Sequence, residues 1–281
     1  MPADHASSAP DFLRRQLVRH RFGDVRWVSE TGSTNSDAMA LARDGAPEGV
    51  VVVADHQSSG RGRRGRSWVA PPGSSLLVSV LLRPPAKVAG VCAMAGGLAM
   101  AEAVDQVVGT VAGLGLKWPN DLVVDDRKLA GVLAEADWPA GVSDSSGWRE
   151  PGPTERVAVV VGIGINVNWP DSLPDELAES AVALNHLVGR EVDRAELLEA
   201  FLRRLDEVYA GLVGAGSADH LLEAWRERSA TLGRRVRVDL GAEDLEGTAV
   251  DVTDDGRLVV ETLEGDRRVV AVGDVVHLRT V

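Results

Sequence analysis

Between Gly60 and Trp68 the chain reads Gly-Arg-Gly-Arg-Arg-Gly-Arg-Ser-Trp, four arginines interleaved with three glycines. Glycine lets the backbone approach a ligand and aim several N–H groups at it. Arginine presents a planar fork of donors that matches carboxylate or phosphate. Together they suit an anion whose charge must be held close. A solvated basic loop or an RGG-like RNA-binding segment would share the composition. An RGG tail is a long repeated tract, however, and this segment lies between two apolar runs, Gly49 to Ala54 and Ser75 to Leu82.

Four other segments carry groups that could do chemistry. Ser33, Thr34 and Asn35 stand at a predicted helix start, where free N–H groups and short polar side chains either hold a polar ligand or simply cap the helix. Lys117-Trp118-Pro119-Asn120-Asp121 puts a charge and an indole at a strand end, or is ordinary turn chemistry. Lys128 lies in an otherwise apolar strand and needs a partner; an anionic substrate would serve, and so would a surface position. Gly162 to Asn168 reads as a strand whose glycines leave room for something beside it.

Elements must position these groups. A short helix is predicted over 11–20, with Phe12, Leu13 and Leu17 on one face. A strand follows over 25–29, then a helix from Ser33 or Thr34, with Asp37 in capping-box position and Gly45 as its stop. Residues 49–54 and 75–82 read as buried strands. Residues 88–108 read as one helix, in which Gly96-Gly97 permits close packing. Residues 114–118 form a strand, and 122–136 a hairpin turning at Asp125-Asp126-Arg127. Residues 137–155 read as an extended hairpin tip, 157–167 as a β-branched strand, and 193–212 and 219–229 as helices. After Gly233 short strands alternate with turns at 254–256 and 264–266, the pattern of a small barrel.

Bulk composition removes several function classes. The 281 residues are 44% hydrophobic, enough to bury one large core and a small one. The formal net charge of -12 argues against a protein whose whole work is coating nucleic acid. Cys92 is the single cysteine, so neither an internal disulfide nor a thiolate metal cluster is available. It lies in an alanine-rich stretch and reads as a small buried hydrophobe. Met1 to Pro10 lacks the features of a secretory signal, and the apolar runs fall short of a membrane span, which points to the cytoplasm.

Taken in order, Ser33-Thr34-Asn35, the stretch from Gln57 to Trp68, Lys117 to Leu122, Lys128 to Leu133 and Gly162 to Asn168 closely resemble the biotin–protein ligase family. The resemblance spans roughly residues 29–168 and weakens toward the C-terminus. It implies an α+β fold: a mixed-sheet catalytic domain of the biotin/lipoate ligase type over 23–230, after a partly disordered leader over 1–22, and a small SH3-like β-barrel over 231–281. It implies an enzyme that joins biotin to ATP as biotinoyl-5′-AMP and then transfers biotin to a lysine of a biotin carboxyl carrier domain. The carrier would belong to acetyl-CoA carboxylase or a related carboxylase.

By the same resemblance, Ser33, Thr34, Asn35 and Gln57 would bind biotin. Arg61, Gly62 and Arg63 would cover its carboxylate and the adenylate phosphate, and Lys128 would contact both. Arg63 and Lys128 would be catalytic. Lys117, Asn120 and Asn166 would serve ATP, Mg²⁺ or the phosphates, and Trp68 and Trp118 would pack near biotin or adenine. Members that repress transcription begin with a helix-turn-helix domain. About 25 residues precede the first core strand here, so no operator binding is expected. A homodimer is compatible with the resemblance. A lipoate–protein ligase shares the logic, and an RNA-binding protein is a distant alternative.

Overall fold

The computed structural model describes residues 11–137, 152–170, 172–241, 244–271 and 273–278. The chain opens with α1 (Asp11–Gln16), β1 (Asp24–Thr31), α2 (Thr34–Arg43), β2 (Val50–Gln57) and β3 (Ser75–Leu82). Then come α3 (Ala86–Ala89), α4 (Cys92–Val108), β4 (Leu114–Lys117), β5 (Asp121–Val124), β6 (Arg127–Asp137) and β7 (Ala158–Asn166). Helices α5 (Asp175–Ala178), α6 (Leu184–Val188), α7 (Arg194–Ala215) and α8 (Asp219–Glu227) precede β8 (Arg235–Asp239), β9 (Asp244–Val252), β10 (Leu258–Glu261), β11 (Arg267–Val270) and β12 (Asp274–His277).

Strands β1 to β7 form one mixed sheet in the order β1-β2-β3-β7-β6-β5-β4. Only β1 and β2 run parallel, joined by α2 as the crossover; every other neighbouring pair is antiparallel. Alternation along β7 divides its side chains between two faces. Val159, Val161, Ile163 and Ile165 enter the main core, which α4 and α7 cover. Ala158 and Val160 turn the other way, against Ala38, Met39 and Ala42 of α2. Helix α4 lies close on its face because Gly96 carries no side chain. A Cβ there would come within 2.8 Å of Val161 Cγ1.

Several expectations need correction. The helix expected over 88–108 is two, α3 and α4, separated at Gly90-Val91. The capping box at α2 does not form. Ser33 makes no side-chain cap, and Asp37 instead accepts from the Thr31 hydroxyl at 2.6 Å. Phe12 does not share the buried face of Leu13 and Leu17: those two are fully buried, whereas Phe12 is exposed. Within the stretch expected as a leader, Leu13, Leu17 and Phe22 are fully buried. The tip expected over 137–155 falls largely outside the described residues.

Strands β8 to β12 form a second, antiparallel sheet in the order β11-β10-β9-β8-β12. Its outer strands, β11 and β12, do not pair with each other among the described residues. Contacts between loops and turns tie it to the larger sheet. The Trp118 indole N–H donates to Gly256 O at 2.9 Å, and Arg234 grips Asp126 through two bonds. No helix among the described residues is long and apolar enough to cross a membrane.

Cys92 is buried at the start of α4, and loss of hydration pushes its thiol up to about 12. The folded protein should therefore resist iodoacetamide at pH 8 and react within minutes once unfolded in guanidinium. Mass spectrometry showing rapid alkylation of the native chain would refute this.

Candidate active site

A cavity of about 440 Å³ opens on the α2 side of the large sheet, within the size range of small-molecule sites. Its floor follows from β7. Gly162, Gly164 and Asn166 continue the face on which Ala158 and Val160 meet α2, but two of the three bear no side chain. The floor is thus lowered where the helix ends. Register carries this row across three strands: Ser79, Gly162 and Leu133 lie side by side, as do Leu77, Gly164 and Gly131.

The inner end is neutral and polar. Ser33, Thr34 and Asn35, at the start of α2, are all buried. Gln57 Oε1, at the end of β2, accepts from the Thr34 amide at 2.8 Å and the Thr34 hydroxyl at 3.0 Å. The Asn35 side chain lies across Gly162, where a Cβ would fall 1.8 Å from Asn35 Oδ1. Asn35 Oδ1 accepts from Ser79 Oγ at 2.6 Å. Asn35 Nδ2 donates to Leu133 O at 3.1 Å and to Glu135 Oε2 at 2.8 Å. Every bond of this amide is satisfied in one orientation, so donors and acceptors here are fixed before a ligand arrives.

One row further along, the Trp68 indole lies on the paired glycines. A Cβ on Gly164 would sit 2.7 Å from its ring, and one on Gly131 3.4 Å. Its Nε1–H is buried and has no hydrogen-bond partner among the described residues. Lys128 Nζ stands 5.8 Å from the ring centroid, within cation–π range, and 2.7 Å from Asp121 Oδ1.

Lys128 reaches this face through a register shift. Leu122 pairs with Ala130 and Val123 with Lys128, so β6 carries one extra residue, Leu129, opposite β5. Without that bulge, alternation from Gly131 and Leu133 would point Lys128 into the core beside Val132. The backbone is held at this point on its other side too. The Lys128 amide donates to Ser180 O at 2.7 Å, and Lys128 O accepts from the Val182 amide at 3.0 Å.

The Gly/Arg loop forms the roof. Arg61 bridges Ser67, the Gly62 amide donates to Arg66 O, and Trp68 returns to Gly60. The hairpin reverses at Arg64 and Gly65, with φ of 54° and 72°. Arg63 donates to Asn120 Oδ1 at 3.2 Å. Burial lowers its guanidinium pKa, with Asp274 and Asp121 acting the other way. The Lys117 ammonium, at the end of β4, likewise has its pKa lowered by burial, and this side chain forms no hydrogen bond or ion pair among the described residues. Cationic charge is therefore concentrated at Arg63, Lys117 and Lys128, away from the neutral end.

Most of the residues singled out from the sequence line this one cavity: Ser33, Thr34, Asn35, Gln57, Arg61, Gly62, Arg63, Trp68, Lys117, Trp118, Asn120, Lys128 and Asn166. Their situations differ. Arg61 pairs with Glu135 at 2.7 Å, which balances its charge on the Asn35 side. Both ends of the Asn166 amide are occupied, by Val182 O and the Trp169 indole N–H, so it braces the wall. Trp118 is buried with its N–H turned to Gly256. Sequence reasoning missed Ser79 and Glu135, which bear no local signal, and gave no role to Asp121 although it ends a quoted segment. It also missed Asp274, which lines the cavity from the second sheet.

Residues 29–137 match the model of the Biotin/lipoate A/B protein ligase family, and residues 231–278 that of the Biotin protein ligase C terminal domain. The chain is 39% identical to the biotin–[acetyl-CoA-carboxylase] ligase of Mycobacterium tuberculosis, covering 95% of this chain and 94% of that one. It is 33% identical to the enzyme of that name from Paracoccus denitrificans, covering 88% and 98%. Among solved structures, a biotin protein ligase from Aquifex aeolicus in complex with biotin and ATP superposes with a TM-score of 0.73. Identity there is 28%, covering 92% of this chain and all of that one.

Proposed function

The chain belongs to the biotin/lipoate A/B protein ligase family, and from that premise we propose that it activates biotin with ATP and transfers it to a lysine of a biotin carboxyl carrier domain. The order of groups along the cavity floor carries this reading. Buried neutral donors and acceptors come first, then an apolar step with Trp68, then clustered cations. Biotin has the same order: an uncharged ureido ring, an alkyl chain and a carboxylate. Ser33, Thr34, Asn35 and Gln57 would hold the ring, and Arg63 and Lys128 the carboxylate.

The chemistry follows from charge. A carboxylate oxygen attacks the α-phosphorus of ATP and pyrophosphate leaves. Both reactants are anionic, so positive charge must already be in place where negative charge accumulates. Arg63 and Lys128 would supply it, with Lys117 and Asn120 toward the phosphates and Asn166, whose amide is already bonded, bracing the wall beside them. No cluster of His, Cys, Asp and Glu among the described residues could hold a metal ion. Mg²⁺ would enter with ATP and offset part of the charge on its phosphates, beside Lys117 and Asn120. In the second step the carrier's lysine amine attacks the acyl carbon, AMP departs and the amine loses its proton. We divide the chain into a catalytic part over 23–230 and a C-terminal part over 231–281, reading the latter's short antiparallel strands as an SH3-like unit. The proposed setting is the cytoplasm, the carrier partner a carboxylase such as acetyl-CoA carboxylase.

Biotin-dependent ATP–pyrophosphate exchange tests the reading. Wild type is expected to exchange with biotin and not with lipoate, and Arg63→Ala to lose about 10²-fold or more, as for removal of one charge-stabilising donor. Absence of biotin-dependent exchange in wild type would reject the function. Exchange supported by lipoate instead would reassign the substrate.

A further inference from the structure

Arg63 lines the cavity and bonds to Asn120, whereas Arg64 and Arg66 reach the C-terminal sheet, Arg66 along the cavity wall and Arg64 outside it. Arg64 Nη1 lies 3.4 Å from Asp239 Oδ2 and 3.5 Å from Asp274 Oδ2, and its Nη2 donates to Asp239 O at 3.5 Å. Arg66 forms an ion pair with Asp274. Asp239 and Asp274 are direct cross-strand partners on β8 and β12, and Asp244 on β9 pairs with Asp239 on the other side. Like charges placed opposite one another destabilise a sheet. Asp244 has Arg237 nearby at 3.8 Å. The other two carboxylates are neutralised by the loop.

We propose that Asp239 and Asp274 are a latch: positioning residues of the second sheet that hold the Gly60–Trp68 loop closed over the cavity through Arg64 and Arg66. The sheet is best relieved of its own repulsion when the loop is down, so closure and sheet stability favour each other. This rests on the reading of the chain as an adenylating ligase for its consequence. A closed loop keeps water from the mixed anhydride. When the loop lifts, water attacks the acyl carbon, the bond from that carbon to the bridging phosphate oxygen breaks, AMP leaves with that oxygen, and free biotin carboxylate and the protons lost by water result. The latch would thus set the fraction of activated biotin lost to hydrolysis.

Two readouts test it on the full chain. The first needs no activity: limited trypsinolysis after Arg61 to Arg66 without ligand. Asp239→Asn/Asp274→Asn is expected to be cut about ten-fold faster than wild type, and wild type to approach that rate as salt rises from about 50 to 500 mM, since exposed pairs are screened. The second is the ratio of AMP formed to biotin transferred to a carrier domain. It should rise several-fold in the double variant, lose its salt dependence there, and return toward wild type in Asp274→Glu, where the charge is restored. If the double variant unfolds at wild-type temperature and yet is cut and leaks like wild type, the latch is wrong. If wild-type cutting ignores salt, it is also wrong, whatever the variants do. Failure of wild-type exchange with biotin would instead reject the ligase reading and leave the trypsin result to decide the latch.

Discussion

Lys128→Ala is expected to lower biotin-dependent ATP–pyrophosphate exchange by roughly 10²- to 10³-fold, the range seen when a preorganised charge-stabilising donor is removed. The ammonium stands in the cavity beside Trp68 and, among the described residues, is paired only with Asp121, at 2.7 Å. Its strand is held in place on both sides by backbone bonds, so the charge is positioned before any ligand binds. An incoming carboxylate and α-phosphate can draw it from Asp121 as charge concentrates on them. The loss should therefore appear in kcat more than in the KM for biotin. Truncation also leaves Asp121 facing the phosphates unneutralised. Adding Asp121→Asn to Lys128→Ala should restore part of the ATP affinity while kcat stays low. Exchange by Lys128→Ala within ten-fold of wild type would remove Lys128 from its assigned role.

Gly162→Ala is the second change with a large expected effect. The new Cβ would occupy a point 1.8 Å from Asn35 Oδ1 and 2.7 Å from its Cγ. The amide cannot share that space, and the backbone of β7 is fixed by β3 and β6 on either side. Asn35 must move, and its bonds to Ser79, Leu133 and Glu135 go with it. Overpacking of this kind costs about 1–3 kcal/mol of stability. Since hydrogen-bonding sites discriminate by leaving buried groups unpaired, the KM for biotin should rise about 100-fold or more. The KM for ATP should change only a few-fold, because the cationic end lies about 7 Å further along the strand, two residues at the usual rise. Steady-state kinetics in both substrates, with a melting curve, would test this. Equal losses in both KM values would mean that the cavity collapsed as a whole.

Much of the large sheet could be read from local signals. Strands 49–54, 75–82 and 157–167 are continuous apolar runs, and the turn at Asp125-Asp126 lies where both residues adopt positive φ. Those signals survive because burial on both faces selects β-branched and aliphatic residues along the whole strand. The local reading failed where an outcome depended on a distant neighbour. Asp37 sits three residues after Thr34, but the Thr31 hydroxyl lies closer to hand. Phe12 shares helical spacing with Leu13, yet α7 covers only one side of a six-residue helix. Trp118 lines the cavity as expected, but its N–H is held by Gly256, more than a hundred residues on.

Residue types and their order along the chain were sufficient for the chemistry: arginines and glycines for an anion, a lysine needing a partner, short polar groups at a helix start. They also placed each of these at the edge of a regular element. What they left open was direction. Lys128 faces the cavity because one extra residue in β6 shifts its register against β5, and register is a property of two strands, not of either alone. Gly162 and Gly164 are floor and not flexible links because Asn35 and Trp68 come from other parts of the chain to lie on them. The Gly/Arg loop divides its arginines in the same way. Identical in type, they differ only in which neighbour each meets: Glu135 for Arg61, Asn120 for Arg63, and two aspartates of the second sheet for Arg64 and Arg66.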